Sequence, residues 1–337
     1  MIVNVSGCDG SGKTTLVNNL LTHFSKNATT AHFSNPRDYD DGKNQYYSFL
    51  KQHQDNSEFI LCDRFHEGEW VYAPIYRNYT ADYLKDLEEQ IITKHNYLLV
   101  FLYAELKDIL SRTDVRGEDF VKREHFQLVL DNFLNNFLLK QSLPFIYLNT
   151  STYSPRECLE MTLKAVKDCF TILSAFRKEA GRNNILDDSI IPIMFYPRGN
   201  VLGEAMIVGL NPSRRFLDQT RNSTVFHDSY YCDLFKQTLI DAKMYLNCWF
   251  TNCFMYPIKN NNVKKHHMNM HQNLLDIQIK TLKPKVIFAL GNMSYEYLQT
   301  TYPSLNVLKR EHPTHVYRFH IKNKEYIKNY LESFKIV

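Results

Sequence analysis

A glycine-rich loop lies between a predicted strand and a predicted helix close to the start of the chain. It reads Gly7-Cys8-Asp9-Gly10-Ser11-Gly12-Lys13-Thr14, and it follows the apolar run Ile2-Val3-Asn4-Val5 and precedes leucines at helical spacing. The three glycines let the backbone curl so that successive N–H groups face an anion. Lys13 can then reach the β- and γ-phosphates, and the Thr14 hydroxyl suits Mg²⁺. The pattern predicts a phosphate-binding loop at the start of a parallel α/β domain, in an enzyme that uses nucleotide phosphates.

Length and composition indicate two domains and no membrane segment. With 337 residues the chain is longer than most single cores. No run approaches the roughly 18 apolar residues that span a bilayer, and the N-terminal strand and loop leave no room for a signal peptide. The seven cysteines include no Cys-x-x-Cys pair, which fits a reducing compartment. We therefore expect a cytoplasmic protein.

Charge is distributed unevenly along the chain. Residues 1–168 carry 18 lysines and arginines against 23 aspartates and glutamates, whereas residues 169–337 carry 22 against 13. A basic second half indicates contact with DNA or RNA, although a solvated basic surface is the alternative.

In the first half, apolar runs alternate with helical patterns, which predicts parallel strands joined by crossover helices and ligands at the carboxyl ends of the strands. The predicted strands are 2–6, 30–34, 58–62, 97–103 and 145–148, and the predicted helices include 13–25, 42–53, 105–113, 119–139 and 154–170.

Two charged groups lie where such a sheet would present them. Asp63-Arg64 follows a predicted strand, so its carboxylate can hold Mg²⁺-bound water or the acceptor hydroxyl, while its guanidinium can clamp a phosphate. Arg112, Arg116 and Arg123 surround the segment 116–119 and fit a mobile lid over the transferring phosphoryl group. An ordinary surface ion pair and a solvated helix junction are the respective alternatives.

These motifs, over nearly all of residues 1–170, resemble the thymidylate kinase family of deoxynucleoside monophosphate kinases. The resemblance implies ATP and Mg²⁺ as cofactors, with Thr14 and Asp63 as metal ligands. Asp9 and Arg64 would contact the acceptor, and Lys13, Asp63, Arg64, Arg112 and Arg116 would act in catalysis. The implied ATP-binding residues are Gly7, Asp9, Gly10, Ser11, Gly12, Lys13, Thr14 and Thr15.

The acceptor pocket is less well defined. Phe33-Ser34-Asn35-Pro36-Arg37 resembles the family's second-strand segment that lines the monophosphate pocket, which implies Pro36 as a contact. The segment from Phe65 to Tyr72 departs from the family pattern and is more like the divergent kinases of bacteriophages. Glu67, Glu69 and Tyr72 are candidate sugar or base contacts, and the accepted base stays open.

The second half repeats the alternation, with predicted strands 204–209, 248–252, 285–290 and 305–308 and predicted helices 230–242, 268–281 and 292–300. Strand ends carry Gly209-Leu210-Asn211-Pro212-Ser213, Phe250-Thr251-Asn252, Leu290-Gly291-Asn292 and Glu311-His312-Pro313-Thr314. In this order they resemble the uracil-DNA glycosylase superfamily over roughly residues 190–320.

That resemblance implies that Asn211 orients the attacking water, His312 stabilises the departing base and Asn252 reads the base edge. Phe216 or Phe226 would stack on the base. Many members have a carboxylate where this chain has Asn211, which is a poor base, so hydrolysis would be slow or absent. Where the superfamily usually has the sequence His-Pro-Ser-Pro, this chain has His312-Pro313-Thr314-His315.

We therefore predict an α/β protein in which a P-loop kinase three-layer sandwich, residues 1–170, is joined through a junction, 171–188, to a uracil-DNA glycosylase-like domain, 189–337. The expected activity is ATP- and Mg²⁺-dependent phosphoryl transfer to a pyrimidine deoxynucleoside monophosphate, dTMP or a modified dUMP. The second domain would bind DNA or a base.

We expect a bifunctional, phage-encoded protein that acts in the host cytoplasm. Two alternatives to the expected activity remain open. The kinase could act on a hydroxymethylated pyrimidine in DNA, or the chain could be a repair glycosylase or a non-catalytic DNA-binding or inhibitory module. The expected partners are a deoxynucleotide, DNA and a second copy in a homodimer, with no membrane.

Overall fold

The computed structural model describes residues 1–24, 28–53, 59–116, 121–137, 142–181, 195–212, 223–224, 230–241, 244–258 and 263–334. Contacts divide the chain into a first unit, Met1–Phe170, and a second unit, Thr171–Val337. Within the described ranges, every helix is too short or too polar to cross a membrane.

The first unit alternates strands and helices, as the sequence predicts. The strands are β1 (Ile2–Gly7), β2 (Ala28–His32), β3 (Phe59–Asp63), β4 (Tyr97–Tyr103) and β5 (Pro144–Asn149). The helices are α1 (Lys13–Phe24), α2 (Tyr39–Gln52), α3 (Glu67–Tyr72), α4 (Tyr83–Lys94), α5 (Leu106–Arg116), α6 (Phe126–Asp131) and α7 (Pro155–Ala180). Single π-helical segments follow α3 and α6, at Ala73–Arg77 and Asn132–Phe137.

The strands of the first unit lie in the order β5-β4-β1-β3-β2, and all of them are parallel. The chain moves from β1 toward β2 and then returns past β1 to β4. Because crossovers are right-handed, this reversal puts helices on both faces of the sheet. The loop after β1 therefore lies at the switch point where α/β proteins bind ligands.

The second unit also consists of strands and helices, and most of its strands are parallel. Its strands are β6 (Phe195–Tyr196), β7 (Arg198–Asn200), β8 (Ala205–Gly209), β9 (Ser223–Thr224), β10 (Cys248–Asn252), β11 (Val286–Leu290) and β12 (Val307–Arg310). Its helices are α8 (Tyr230–Asp241), α9 (Lys265–Met270), α10 (Gln272–Leu282), α11 (Asn292–Thr301), α12 (Pro313–His320) and α13 (Lys324–Glu332).

The main strand order is β12-β11-β8-β10-β7, with β7 antiparallel to β10 and the others parallel. The chain moves from β8 to β10 and then returns past β8 to β11, so the loop after β8 is the switch point of this sheet. The structure thus confirms an α/β fold in both halves.

Candidate functional site

The loop after β1 has a backbone that requires glycine. The φ angles are 147° at Gly7, 79° at Gly10 and 94° at Gly12. A Cβ atom added at Gly7 would lie 2.2 Å from the backbone oxygen of Leu102 on the neighbouring strand β4. Glycine therefore lets the loop turn against β4 and direct the chain into α1, which begins at Lys13.

Three charged side chains meet at this loop. The Lys13 ammonium donates to the carbonyl oxygens of Gly7, at 2.9 Å, and Cys8, at 2.8 Å, and lies 3.6 Å from the Asp9 carboxylate. The Arg64 guanidinium donates to Asp9 Oδ1 at 3.1 Å, and this is the carboxylate oxygen that Lys13 also approaches. Burial lowers the pKa of Lys13. The ammonium contacts oxygen atoms of the loop, and phosphate oxygens could take their place.

Arg64 reaches the loop through a strained backbone. Its φ angle is 63°, in the left-handed region that costs a non-glycine residue about 1–2 kcal/mol. Its N–H donates to the Val5 carbonyl oxygen at 3.2 Å, which ties this turn to β1. The Arg64 side chain is 39% exposed, so its remaining donors can meet a ligand.

Asp63 offers an oxygen atom suited to a cation. It ends β3 and pairs in register with Val5 of β1. Its Oδ2 lies 3.5 Å from the exposed His32 ring, whereas its buried Oδ1 has no hydrogen-bond partner among the described residues. The buried Ser11 hydroxyl also has no hydrogen-bond partner among the described residues. Thr14 is exposed at the start of α1. Hydroxyl and carboxylate oxygens are the ligands that Mg²⁺ prefers, so this set fits the ion.

One side of the loop borders a cavity of about 340 Å³. Arg112 fixes the loop there, because its guanidinium donates to the carbonyl oxygen of Gly10 at 2.9 Å and to both oxygens of Thr150, at 3.0 and 2.9 Å. Its role in catalysis stays a prediction. The cavity is lined by Gly10, Gly12, Thr15, Leu16, Leu102, Arg112, Thr150, Tyr153, Pro155 and Cys158. A cavity of this size can hold the base and sugar of a nucleotide.

A second, narrow cavity of about 30 Å³ borders the other side of the loop. It brings together Asp9, Pro36, Arg64, Glu69 and Tyr72, which are five of the six residues predicted to contact the acceptor in this unit. The other lining residues are Ser6, Gly7, Phe33, Ser34, Asn35, Tyr46, Phe65, Gly68 and Arg77. This volume is small beside the roughly 300–1,000 Å³ of typical ligand pockets.

Glu69 forms a buried ion pair that the sequence did not indicate. Its Oε2 lies 2.8 Å from Arg77 Nη2, and its Oε1 accepts from the Tyr79 hydroxyl. Burial raises the pKa of Glu69, although the Tyr79 hydroxyl and the Arg77 guanidinium favour the carboxylate. Arg77 is the last residue of the π-helical segment that follows α3. The wider π turn changes the phase of the helix, so regular helical spacing gives no signal of this contact.

Glu67, the sixth predicted acceptor contact in this unit, does not line the cavity. Only 1% of its side chain is exposed, and it accepts from the Asn4 amide and the Tyr97 hydroxyl. Its neighbour His66 lies between Glu67 and Glu88. Residues two apart on a helix point about 200° away from each other, so Glu67 and Glu69 cannot both face one ligand.

Several predicted site residues lie outside the part of the chain that the structure describes. They are the Arg116 side chain with the lid residues 117–119, and Phe216 and Phe226.

In the second unit, the predicted residues lie at the carboxyl ends of three parallel strands. Asn252 is the last residue of β10, is 3% exposed, and pairs in register with Gly209 of β8. Asn211 follows Gly209 by two residues, and its amide donates to the Pro212 carbonyl oxygen at 3.0 Å. His312 follows β12 and caps α12.

His312 is held in one neutral form. Its Nδ1 accepts from the Thr314 N–H at 3.2 Å, and burial lowers its pKa to about 4. At neutral pH the ring is therefore uncharged, and because Nδ1 is an acceptor, Nε2 carries the proton. The side chain can donate one hydrogen bond to a carbonyl oxygen or to a developing negative charge.

Comparison with solved structures finds similar chains of about half this length. They include the YorR protein from Bacillus subtilis in complex with phosphorylated GDP (20% identity, TM-score 0.42), which matches over 50% of this chain and 96% of its own. A thymidylate kinase from Candida albicans (14%, 0.36) matches over 49% and 90%, and a deoxyadenosine kinase from M. mycoides (14%, 0.34) over 50% and 98%.

Comparison of sequences gives a second result. A search of curated proteins finds no match. Over residues 196–335, however, the chain matches the family model described as the Uracil DNA glycosylase superfamily, which confirms the resemblance drawn from its strand-end motifs.

Proposed function

We propose that the first unit, residues 1–170, transfers the γ-phosphoryl group of ATP to a pyrimidine deoxynucleoside monophosphate, dTMP or a modified dUMP. The observation that carries this proposal is the position of the glycine-rich loop between two cavities. Gly10 and Gly12 line the larger cavity, and Gly7 and Asp9 line the narrow one. A donor and an acceptor bound in them would meet at the loop, and phosphoryl transfer requires this arrangement.

Residues in and around the loop have separate roles in this proposal. Lys13 would leave its carbonyl partners for the β- and γ-phosphates, and Arg64 would hold the acceptor phosphate. Arg112 would keep the loop in place beside ATP, and Arg116 would stabilise charge on the transferring group. Thr14 and Asp63 would hold Mg²⁺, which neutralises phosphate charge when it is bound.

The test is transfer of label from γ-labelled ATP to a panel of deoxynucleoside monophosphates. We expect labelled diphosphate with the wild-type chain and a loss of at least 100-fold with Lys13→Ala. Lys85→Ala is a matched control, since Lys85 lies exposed on α4 outside both cavities. Equal activity of the Lys13 and Lys85 variants would contradict the assigned site.

We propose that the second domain, residues 189–337, binds DNA or a flipped base. Its support is the superfamily match together with the excess of 22 lysines and arginines over 13 acidic residues in residues 169–337. Affinity for single-stranded DNA should fall steeply as salt rises, because phosphate contacts release counterions. An affinity that does not depend on salt would refute a phosphate-binding surface.

The same charge excess favours a second candidate, a kinase whose acceptor is a hydroxymethylated pyrimidine within DNA. Labelled oligonucleotides containing hydroxymethyluracil would identify it, since a monophosphate kinase labels free nucleotide only. Release of uracil from DNA would instead identify a repair glycosylase. Asn211 is an amide, so we expect such release to be slow or absent.

A further inference from the structure

The larger cavity beside the phosphate-binding loop, of about 340 Å³, has the volume for the base and sugar of a phosphoryl donor. One part of its wall comes from residues 10–16 of the loop and α1, and another from residues 150–158, which lead from β5 into α7. Leu102 and Arg112 also line it. The N–H groups of the loop bind phosphates, so recognition of a donor base depends on the other polar groups of the wall.

Selection among bases requires donors and acceptors that are fixed in a particular order. Adenine and cytosine present an amino group beside a bare ring nitrogen, whereas guanine and uracil present a carbonyl oxygen beside a ring N–H. A site that hydrogen-bonds one of these edges rejects the others by about 10⁴-fold, whereas a wall without such groups discriminates weakly. The state of the polar groups on the wall therefore determines whether the cavity selects a base.

Backbone N–H groups of this wall are already engaged. Those of Thr150, Tyr153 and Cys158 donate to carbonyl oxygens of the protein at 2.8, 2.8 and 2.9 Å, and Pro155 has none. On the α1 side, the Leu16 N–H donates to a carbonyl oxygen of the loop at 3.1 Å. Wherever in the cavity a base lies, these five residues therefore offer it no backbone donor.

Polar side chains of the wall are also tied to the protein. The Thr150 hydroxyl donates to the Ser11 carbonyl oxygen at 3.0 Å and accepts from Arg112, which makes three hydrogen bonds to the surrounding loops. The Cys158 thiol lies 3.9 Å from the Tyr153 carbonyl oxygen. These contacts hold the wall together and occupy the groups that would otherwise read a base.

The polar groups that remain on the wall suit any base. The three hydrogen bonds of Arg112 leave two of its five N–H groups, and every base carries an oxygen or a bare ring nitrogen that can accept from them. Thr15 and Tyr153 are exposed, and their hydroxyls can rotate to donate or to accept. The Tyr153 ring adds a flat surface, and aromatic rings stack on every base.

We propose that this cavity accepts a nucleoside triphosphate without regard to its base, so that ATP, GTP, CTP and UTP all serve as phosphoryl donors. This inference rests on the proposed kinase function. The reaction is the same with each donor. An oxygen of the acceptor monophosphate forms a bond to the γ-phosphorus, the bond from that phosphorus to the β–γ bridging oxygen breaks, and its electron pair leaves with the nucleoside diphosphate.

The test measures kcat/KM for γ-labelled ATP, GTP, CTP and UTP, with Mg²⁺ and the best monophosphate acceptor. We expect the four values to agree within 10-fold. Tyr153→Ala should lower all four at least 5-fold and by similar factors, because it removes the stacking surface. Tyr153→Phe keeps the ring without the hydroxyl, so it should cost less than Tyr153→Ala and leave the ratios among donors within 10-fold. Trp70 fluorescence checks that each variant folds.

A preference of more than 10-fold for one donor would overturn the inference, because it would show that the wall reads a base. A Tyr153→Ala variant that loses nothing, or that loses activity with one donor only, would overturn the role of this ring. Equilibrium dialysis of the four triphosphates with Mg²⁺ and no acceptor separates this inference from the proposed function. If wild type transfers no phosphate to any monophosphate, the kinase proposal fails. Dissociation constants within 10-fold of each other would still support a cavity that does not select the base, whereas a wider spread or no binding would refute it.

Discussion

Gly7→Ala should destabilise the first unit more than the equivalent change elsewhere in the same loop. A Cβ atom at Gly7 would lie 2.2 Å from the Leu102 oxygen, and real Cβ contacts are essentially never shorter than 3.0 Å. Strands β1 and β4 would have to separate by about 0.8 Å at their last paired residues, Gly7 and Leu102. Overpacking of this kind costs about 1–3 kcal/mol.

The backbone adds a second cost. At a φ of 147° a residue with a side chain is strained by about 1–3 kcal/mol, so the sum for Gly7→Ala is about 4 kcal/mol. Gly12→Ala is the matched control, because its φ of 94° carries similar strain but its Cβ would meet only the Thr150 methyl group, at 3.7 Å. We expect about 2 kcal/mol for Gly12→Ala.

Each unit contains one tryptophan, which makes the assay specific. Trp70 lies in α3 and Trp249 in β10, and both are buried. In a Trp249→Phe background, urea unfolding followed by fluorescence reports the first unit alone. If Gly7→Ala and Gly12→Ala lower the free energy of unfolding equally, the contact between β1 and the Leu102 oxygen does not determine the loop, and the reasoning fails.

Three further predictions concern the buried His66 and His271 and the half-buried Arg112. Burial opposes protonation of His66, but its two glutamate neighbours raise its pKa above the usual value. The first unit should therefore lose stability as pH rises above about 6.5. His66→Gln should remove this loss in urea unfolding at pH 6–9. Burial lowers the pKa of His271 to about 4, so the second unit should lose stability as pH falls from about 6.5 to 4. His271→Asn should make the free energy of unfolding depend less on pH in this range, as measured by tryptophan fluorescence. Arg112→Ala removes three hydrogen bonds to Gly10 and Thr150 and should weaken ATP binding about 10- to 100-fold in equilibrium dialysis. Unchanged affinity for ATP would contradict this prediction.

The sequence predicts the central strands well for a physical reason. The strand predicted at 97–103 is β4, Tyr97–Tyr103, and six of its seven residues are buried. Parallel strands covered on both faces consist of continuous apolar residues, so their ends coincide with the ends of the apolar run. The phosphate-binding loop is equally visible, because its geometry requires glycines at fixed positions.

Some elements were missed or shortened. Helix α7 continues to Ala180, ten residues beyond its predicted end, because Ile172, Leu173 and Phe176 extend its buried face into the segment interpreted as a junction. Helices α12 and α13 were not predicted, since they are short, with eight and nine residues. The pair of Glu69 and Arg77 depends on a π-helical turn, which no local pattern reveals.

The two units differ in the charge that they place at their strand ends. In the first unit, Asp9, Lys13, Asp63 and Arg64 gather ionisable groups around one loop, and such groups stabilise the charge that moves during phosphoryl transfer. In the second unit, the corresponding loop carries the amide of Asn211, and the His312 ring is held neutral. An amide and a neutral imidazole can orient water and donate hydrogen bonds, but neither accepts a proton from water readily at neutral pH. This difference is the reason that we propose catalysis for the first unit and recognition of a base or nucleic acid for the second.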